Sequence, residues 1–239
     1  LFGGAPVRTR PFTSWPIAGE AEEVRLLRTL RSGKWGRLHG EEVAEFEQRF
    51  PSMHGCTHGI AVVNGTVSLR IALLAAGIRA EDEVIVPPYT FISTASAVIE
   101  ANAIPVFADI DLHTFNLDPA AVERALTPRT RALIPVHFAG QPADMEALLA
   151  IARARGLVVI EDAAHAVEAV SAGRKIGATA DVTCFSFYAT KNLTTGEGGM
   201  LTTASDHVAR FARTASQHGI SRDGWARYKE TGSPHYDVL

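Results

Sequence analysis

From residue 58 onward the chain repeats one pattern: a short, nearly continuous apolar run, then a longer amphipathic segment, then another apolar run. Runs such as Glu83-Val84-Ile85-Val86 and Leu157-Val158-Val159-Ile160 are apolar at odd and even positions alike. Neighbouring side chains on a strand point to opposite faces, so such strands must be covered on both sides, as in a largely parallel sheet. β-rich runs fall near 59–63, 83–87, 104–108, 131–136, 157–161, 182–187 and 199–203, with helical intervals at about 66–77, 91–101, 119–126, 142–155 and 205–217. The punctuation agrees. Asp118 precedes a Pro suited to a first helical turn, Ser205 can cap the last helix, and Gly77 and Gly156 end two others. The expected fold is α/β, a three-layer sandwich with a mostly parallel seven-stranded sheet.

Residues 1–57 read differently, as a lead-in segment with two helices at about 20–32 and 40–50. The stretches around Pro6 and Pro16 are extended, because proline disfavours helix in the residue before it. Gly33 stops the first helix, and Lys34–His39 form a loop with an exposed aromatic, Trp35. Residues 58–239 then form one large domain, without internal repeat or linker. At 239 residues and 46% hydrophobic, the chain can bury a full core without disulfide or metal. Its 23 Lys and Arg against 26 Asp and Glu show no basic stripe, which argues against a nucleic-acid binder. Cys56 and Cys184 form no metal-ligand cluster and fit a reducing compartment. No run approaches the ~20 apolar residues of a membrane span. The start at Leu1 lacks signal-peptide regions, so a cytoplasmic protein with a processed or trimmed N-terminus is expected. His235–Leu239 close nothing, as in a fragment.

In open α/β sheets, ligands sit beyond the carboxyl ends of the strands, so the chemistry is sought there. Asn64-Gly65-Thr66 joins a strand to a helix start. It is either an ordinary helix cap or a cup for one phosphate, with Gly65 admitting the ligand and Thr66 adding a hydroxyl. It matches neither a P-loop nor GxGxxG, which weakens ATP and dinucleotides as ligands. Pro87-Pro88-Tyr89-Thr90-Phe91 offers Phe91 as a core residue or as a stacking surface. Val159-Ile160-Glu161-Asp162-Ala163-Ala164-His165 runs a buried strand into two carboxylates and a histidine. Asp162 is then a salt-bridge or cap residue, or the partner of a bound positive centre. Cys184–Asn192 brings Lys191 between an apolar strand and a glycine-rich turn. Lys191 is either solvated or a nucleophile whose pKa burial depresses.

Together the loops offer a phosphate cup, an aromatic surface, a carboxylate and a lysine. Pyridoxal 5′-phosphate (PLP) demands that set: an amine for its aldehyde, an acid for its ring nitrogen, a stacking face and an anion site.

The blocks Asn64-Gly65-Thr66, Pro87–Phe91, Pro105–Asp111, Glu161–Ala166 and Ser186–Asn192 with Gly196–Gly199 resemble the DegT/DnrJ/EryC1/StrS family of PLP-dependent sugar aminotransferases. The similarity runs from Gly3 to Asp223. It implies fold type I, with 58–239 as the PLP-binding large domain. It also implies that Lys191 forms the cofactor Schiff base and shuttles the proton, while Asp162 pairs with the pyridine nitrogen. By the same resemblance Phe91 covers the ring, and His165, where many members carry Gln, contacts the ring or its phenolic oxygen. Gly65, Thr66 and Ser186 bind the phosphate, and Tyr188 lies near the sugar. Ala189 stands where many relatives have Pro. Members continue beyond this chain with a Gly-Phe-Lys-Tyr-Asn-Met-like stretch, which lends an Asn to the neighbouring subunit, and with a smaller C-terminal domain. Neither is expected within these 239 residues.

The resemblance implies a homodimer with shared sites and a ping-pong transfer from a donor, L-glutamate, to a keto-sugar, usually nucleotide-linked. Lysine at 191 favours this over related dehydratases, which carry His there. Two other readings stay open. The acceptor is a cyclitol, or the product is 3-amino-5-hydroxybenzoate, as Trp15-Pro16 and Gly33–Gly40 resemble such members. Alternatively, the chain is a truncated, non-catalytic PLP-binding domain. No metal is expected.

Overall fold

A computed structural model describes residues 3–220. The sequence reading of His218–Asp223 beyond residue 220, and of His235–Leu239, lies outside the described residues. Two compact units are present, one up to Gly40 and one from Glu41 onward.

The first unit is extended up to α1 (Glu20–Ser32). Acidic Glu20, Glu22 and Glu23 occupy the first turn, where the helix dipole favours negative charge. The Glu22 carboxylate also accepts the Gly19 N–H at 2.8 Å. Gly33, at φ 67°, ends the helix as expected. In the loop that follows, Trp35 is 70% exposed and its indole N–H donates to the Leu30 carbonyl.

The second unit runs α2 (Glu42–His54), β1 (His58–Val62), α3 (Gly65–Ala75), β2 (Glu83–Val86), α4 (Ser93–Glu100), β3 (Ile104–Phe107), α5 (Pro119–Ala125) and β4 (Thr130–Leu133). It continues through α6 (Met145–Arg155), β5 (Val158–Asp162), a small hairpin of β6 (Val170–Ser171) and β7 (Arg174–Lys175), β8 (Val182–Ser186), β9 (Gly199–Thr203) and α7 (Asp206–Ala215). The seven-stranded sheet has the order β1-β9-β8-β5-β4-β2-β3. Neighbours pair in parallel from β8 across to β3; β9 runs antiparallel to both β8 and β1. The mostly parallel α/β sandwich expected from the apolar runs is present, with all seven strands near their expected places. The β6–β7 hairpin was not foreseen, because two-residue strands leave no periodic signal.

One apolar cluster joins α3, α4 and α7 to one face of the sheet through Leu73, Val98 and Ala212 with Ile60, Ile134 and Ile160. On the other face, Leu148 of α6 and Val122 of α5 meet Ile85, Leu133 and Val159. Phe50 of α2 packs edge-on against Phe185 and Phe187. Fully burying an aliphatic or aromatic side chain contributes about 1.5–3 kcal/mol, so covering both faces is what fixes the sheet. Cap chemistry sets the helix starts. Asn64 accepts from the Val67 N–H, Asp118 from Ala120 and Ala121, Asp144 from Ala147, and Ser205 from Val208. Gly156 closes α6 in the left-handed region. α3 ends at Ala75, and Gly77 follows it at φ +77°. α4 begins at Ser93, two residues later than the 91–101 pattern implies. Among the described residues, no helix is long and apolar enough to cross a membrane.

Candidate active site

The carboxyl ends of β2, β4, β5 and β8 and the loop after β1 converge on a cavity of about 450 Å³. Gly65, Thr66, Phe91, Asp162, His165, Ser186, Tyr188 and Lys191 all line it. The loops that carry them are far apart in sequence and meet because parallel strands end on one side of the sheet.

One end of the cavity is built where α3 starts. Asn64 caps the helix, so the ordinary reading of this turn is correct, but the turn also lines the cavity. A Cβ on Gly65 would lie 2.9 Å from the Cβ of Ser186, so only glycine lets this turn approach the end of β8. The hydroxyls of Thr66 and Ser93 are 2.7 Å apart beside it. Hydroxyls and helix-start N–H groups suit a phosphate.

The same lining holds the charged groups. Asp162, the last residue of β5, is 7% exposed. It accepts from the Thr94 hydroxyl at 2.8 Å and from the Ala164 N–H at 3.2 Å. Lys191 is half-buried. Burial lowers its amine below the ordinary lysine range, while the nearby Asp162 charge acts in the opposite direction. A larger share of neutral amine follows, which is the nucleophilic form. His165 Nδ1 accepts from the Ala139 N–H at 3.3 Å. Burial, then the charge of Lys191, lowers its pKa, against the pull of Asp162. A neutral ring with Nδ1 as acceptor carries its proton on Nε2.

Phe91 is 71% exposed and Tyr188 46% exposed. The core alternative for Phe91 is therefore wrong: the ring stands open at the cavity mouth. The reason is its position in the loop before α4, ahead of the buried helical residues Thr94, Ala95, Ala97 and Val98.

Sequence reasoning missed Thr94, Thr90, Ser93 and Phe138. Thr90, Ser93 and Phe138 line the cavity, and Thr94 lies behind Asp162. Local sequence marks neither threonine: Thr90 lies in the loop before α4, and the partner of Thr94 is far along the chain. The two adjacent carboxylates also separate. Glu161 is fully buried, held by the hydroxyls of Thr179 and Thr183, with His137 Nε2 3.5 Å away. Alternation along β5 sends only Asp162 toward the cavity.

The arrangement can hold an anion beside the Gly65-Thr66 turn and present an amine and a carboxylate to the same ligand. Residues 17–235 match the model of the DegT/DnrJ/EryC1/StrS aminotransferase family. The chain is 50% identical over 225 residues to the spore coat polysaccharide biosynthesis protein SpsC of Bacillus subtilis, covering 94% of this chain and 57% of that protein. It is similar to the solved structure of 3-amino-5-hydroxybenzoic acid synthase, at a TM-score of 0.88 and 39% identity, over 96% of this chain and 60% of that one. It is also similar to NtdA from Bacillus subtilis with bound cofactor PMP, at a TM-score of 0.79 and 29% identity, over 96% of this chain and 53% of that one. The chain thus spans little more than half the length of the relatives it matches.

Proposed function

This chain belongs to the DegT/DnrJ/EryC1/StrS aminotransferase family, and from that premise we propose that it is the cofactor-binding part of a PLP-dependent aminotransferase acting on a keto-sugar. The observation that carries the reading is one cavity shared by Lys191, Asp162 and the Gly65-Thr66 turn. The residues fit the cofactor. The close approach of Gly65 to Ser186 makes a cradle that a Cβ would fill, and a buried carboxylate faces the same space as a lysine of lowered pKa.

When bound, PLP supplies an aldehyde for amine chemistry and a ring that withdraws electrons from the carbon attached to nitrogen. Lys191 supplies the neutral amine and carries the proton between donor carbon and cofactor carbon. Asp162 sets its charge against the ring nitrogen. Phe91 covers one ring face, and His165 offers its Nε2–H to the ring or its phenolic oxygen. Gly65, Thr66 and Ser186 hold the phosphate, and Tyr188 meets the incoming sugar. The donor is L-glutamate and the keto-sugar is nucleotide-linked; similarity to a polysaccharide biosynthesis protein supports a sugar acceptor. Phe91, 71% exposed, puts apolar surface at the cavity, and Ile92, its neighbour in sequence, is 70% exposed, which supports a homodimer that covers them. Free Cys56 and Cys184 are consistent with cytoplasmic work.

A second reading changes only the acceptor, to a cyclitol or a precursor of 3-amino-5-hydroxybenzoate; likeness to that synthase favours it. A third, a non-catalytic PLP-binding domain, draws on the partial coverage of relatives. One titration separates these. Full-length protein loaded with PLP is expected to show the cofactor's visible band and to lose it when glutamate converts the cofactor to its amine form. Keto-sugar nucleotides then restore the band if the first reading holds, and inososes if the second does. A band that neither glutamate nor glutamine changes contradicts both transferase readings, since cyclitol-aminating relatives are named for glutamine as donor.

A further inference from the structure

Thr94 is fully buried, yet its hydroxyl makes two hydrogen bonds in a line. Thr94 Oγ1 lies 2.8 Å from Asp162 Oδ2 and 2.8 Å from Thr90 Oγ1. A hydroxyl has one proton, and an ionised carboxylate can only accept. Thr94 must therefore donate to Asp162, which leaves its oxygen to accept from Thr90. The direction of the chain is fixed: Thr90 to Thr94 to Asp162. Each donor polarises the next, so the last bond is strengthened by the one before it.

The other carboxylate oxygen, Oδ1, accepts the Ala164 N–H. With one donor on each oxygen, the carboxylate cannot rotate about its bond to Cβ without losing both. Its plane is set by α4 on one side and by the backbone after β5 on the other. Thr90 itself lines the cavity, so the chain begins at the ligand space and ends on the charged wall.

We infer that Thr94 is a positioning residue which, with Thr90 behind it, locks the Asp162 carboxylate in the orientation that meets the ring nitrogen of the bound cofactor. The inference rests on the PLP reading above and names a residue that acts through Asp162 rather than on the ligand. Replacing the hydroxyl by a methyl group of similar volume keeps the core filled. It frees one side of the carboxylate and leaves Thr90 without its acceptor.

The test uses full-length protein and PLP labelled with ¹⁵N in the ring, read by the nitrogen shift and by a binding titration. Wild type is expected to hold the ring nitrogen protonated to high pH. Thr94→Val is expected to lower the pH at which that nitrogen loses its proton and to weaken PLP binding about tenfold, the scale of one hydrogen bond to a charged group. Thr94→Ser restores both. Thr90→Val, which leaves the buried position untouched, moves both in the same direction by less, and it serves in place of Thr94→Val if that variant does not fold. A wild-type nitrogen signal and affinity in folded Thr94→Val, or in Thr90→Val where it stands in, overturns this inference alone. A wild type that binds no PLP overturns the reading beneath it as well.

Discussion

Gly65 stands where a Cβ would lie 2.9 Å from the Cβ of Ser186 and 3.5 Å from its hydroxyl. The neighbour is the end of a central strand rather than the tip of a flexible side chain, so the clash cannot be relieved by a rotamer change. Gly65→Ala must therefore push the start of α3 away from β8 and open the cup beside Thr66. The expected cost is about 1–3 kcal/mol of stability, typical of overpacking. If the turn holds the phosphate as proposed, PLP affinity falls at least tenfold, because the donors of the cup lose their spacing. A thermal melt and a PLP titration read the two effects separately; unchanged affinity in a folded Gly65→Ala protein contradicts the assignment of this turn to the phosphate. At this scale the sequence was informative about residue types and silent about facing. Asn64 reads as a cap and is one, while Phe91 taken alone reads as core and is open to solvent. Thr94 carried no apparent message because its role depends on Asp162, a residue far along the chain.

β5 shows how one strand divides two adjacent acids between two tasks. Asp162 closes the cavity wall, while Glu161 points into the protein toward His137, Thr179 and Thr183. The Ala143 N–H donates to His137 Nδ1, so Nε2 carries the proton that faces Glu161. Burial by itself raises the Glu161 pKa, but His137 and the two hydroxyls outweigh it and hold the carboxyl below its usual value. A carboxyl whose folded pKa is depressed contributes stability above its unfolded pKa, and that contribution is lost as pH falls through the folded value. The protein should accordingly lose stability below the unfolded value near 4.5. Glu161→Gln should flatten that acid limb and cost about 1–3 kcal/mol at neutral pH, since its amide NH2 replaces an acceptor oxygen that faces buried donors. Denaturant unfolding from neutral to acid pH checks both; an acid limb as steep in the variant as in wild type contradicts the account. The sequence revealed the strand itself because Leu157–Ile160 are apolar at every position. It did not reveal which carboxylate faces which way, because that depends on what packs on each side.

Across the whole sheet, the cavity exists because β2, β4, β5 and β8 run in parallel and deliver their following loops to one edge. That much was readable from the order of apolar runs, since parallel strands with helical crossovers allow few other arrangements. The sheet's single reversed strand, β9, was not readable: antiparallel and parallel strands buried on both faces share one apolar pattern. Reversal at β9 places Gly199 against the backbone of Asn64, where a Cβ would lie 2.6 Å from that carbonyl, and so ties the last strand to the cup formed after the first. The account's central claim is that the cavity of about 450 Å³ holds PLP through the amine of Lys191. Borohydride reduction of PLP-loaded protein, followed by digestion and mass spectrometry of the peptides, tests it most directly. The expected result is one pyridoxyl adduct, on Lys191, and none in Lys191→Ala. An adduct on Lys34, Lys175 or Lys229 instead, or no adduct in wild type, would contradict it.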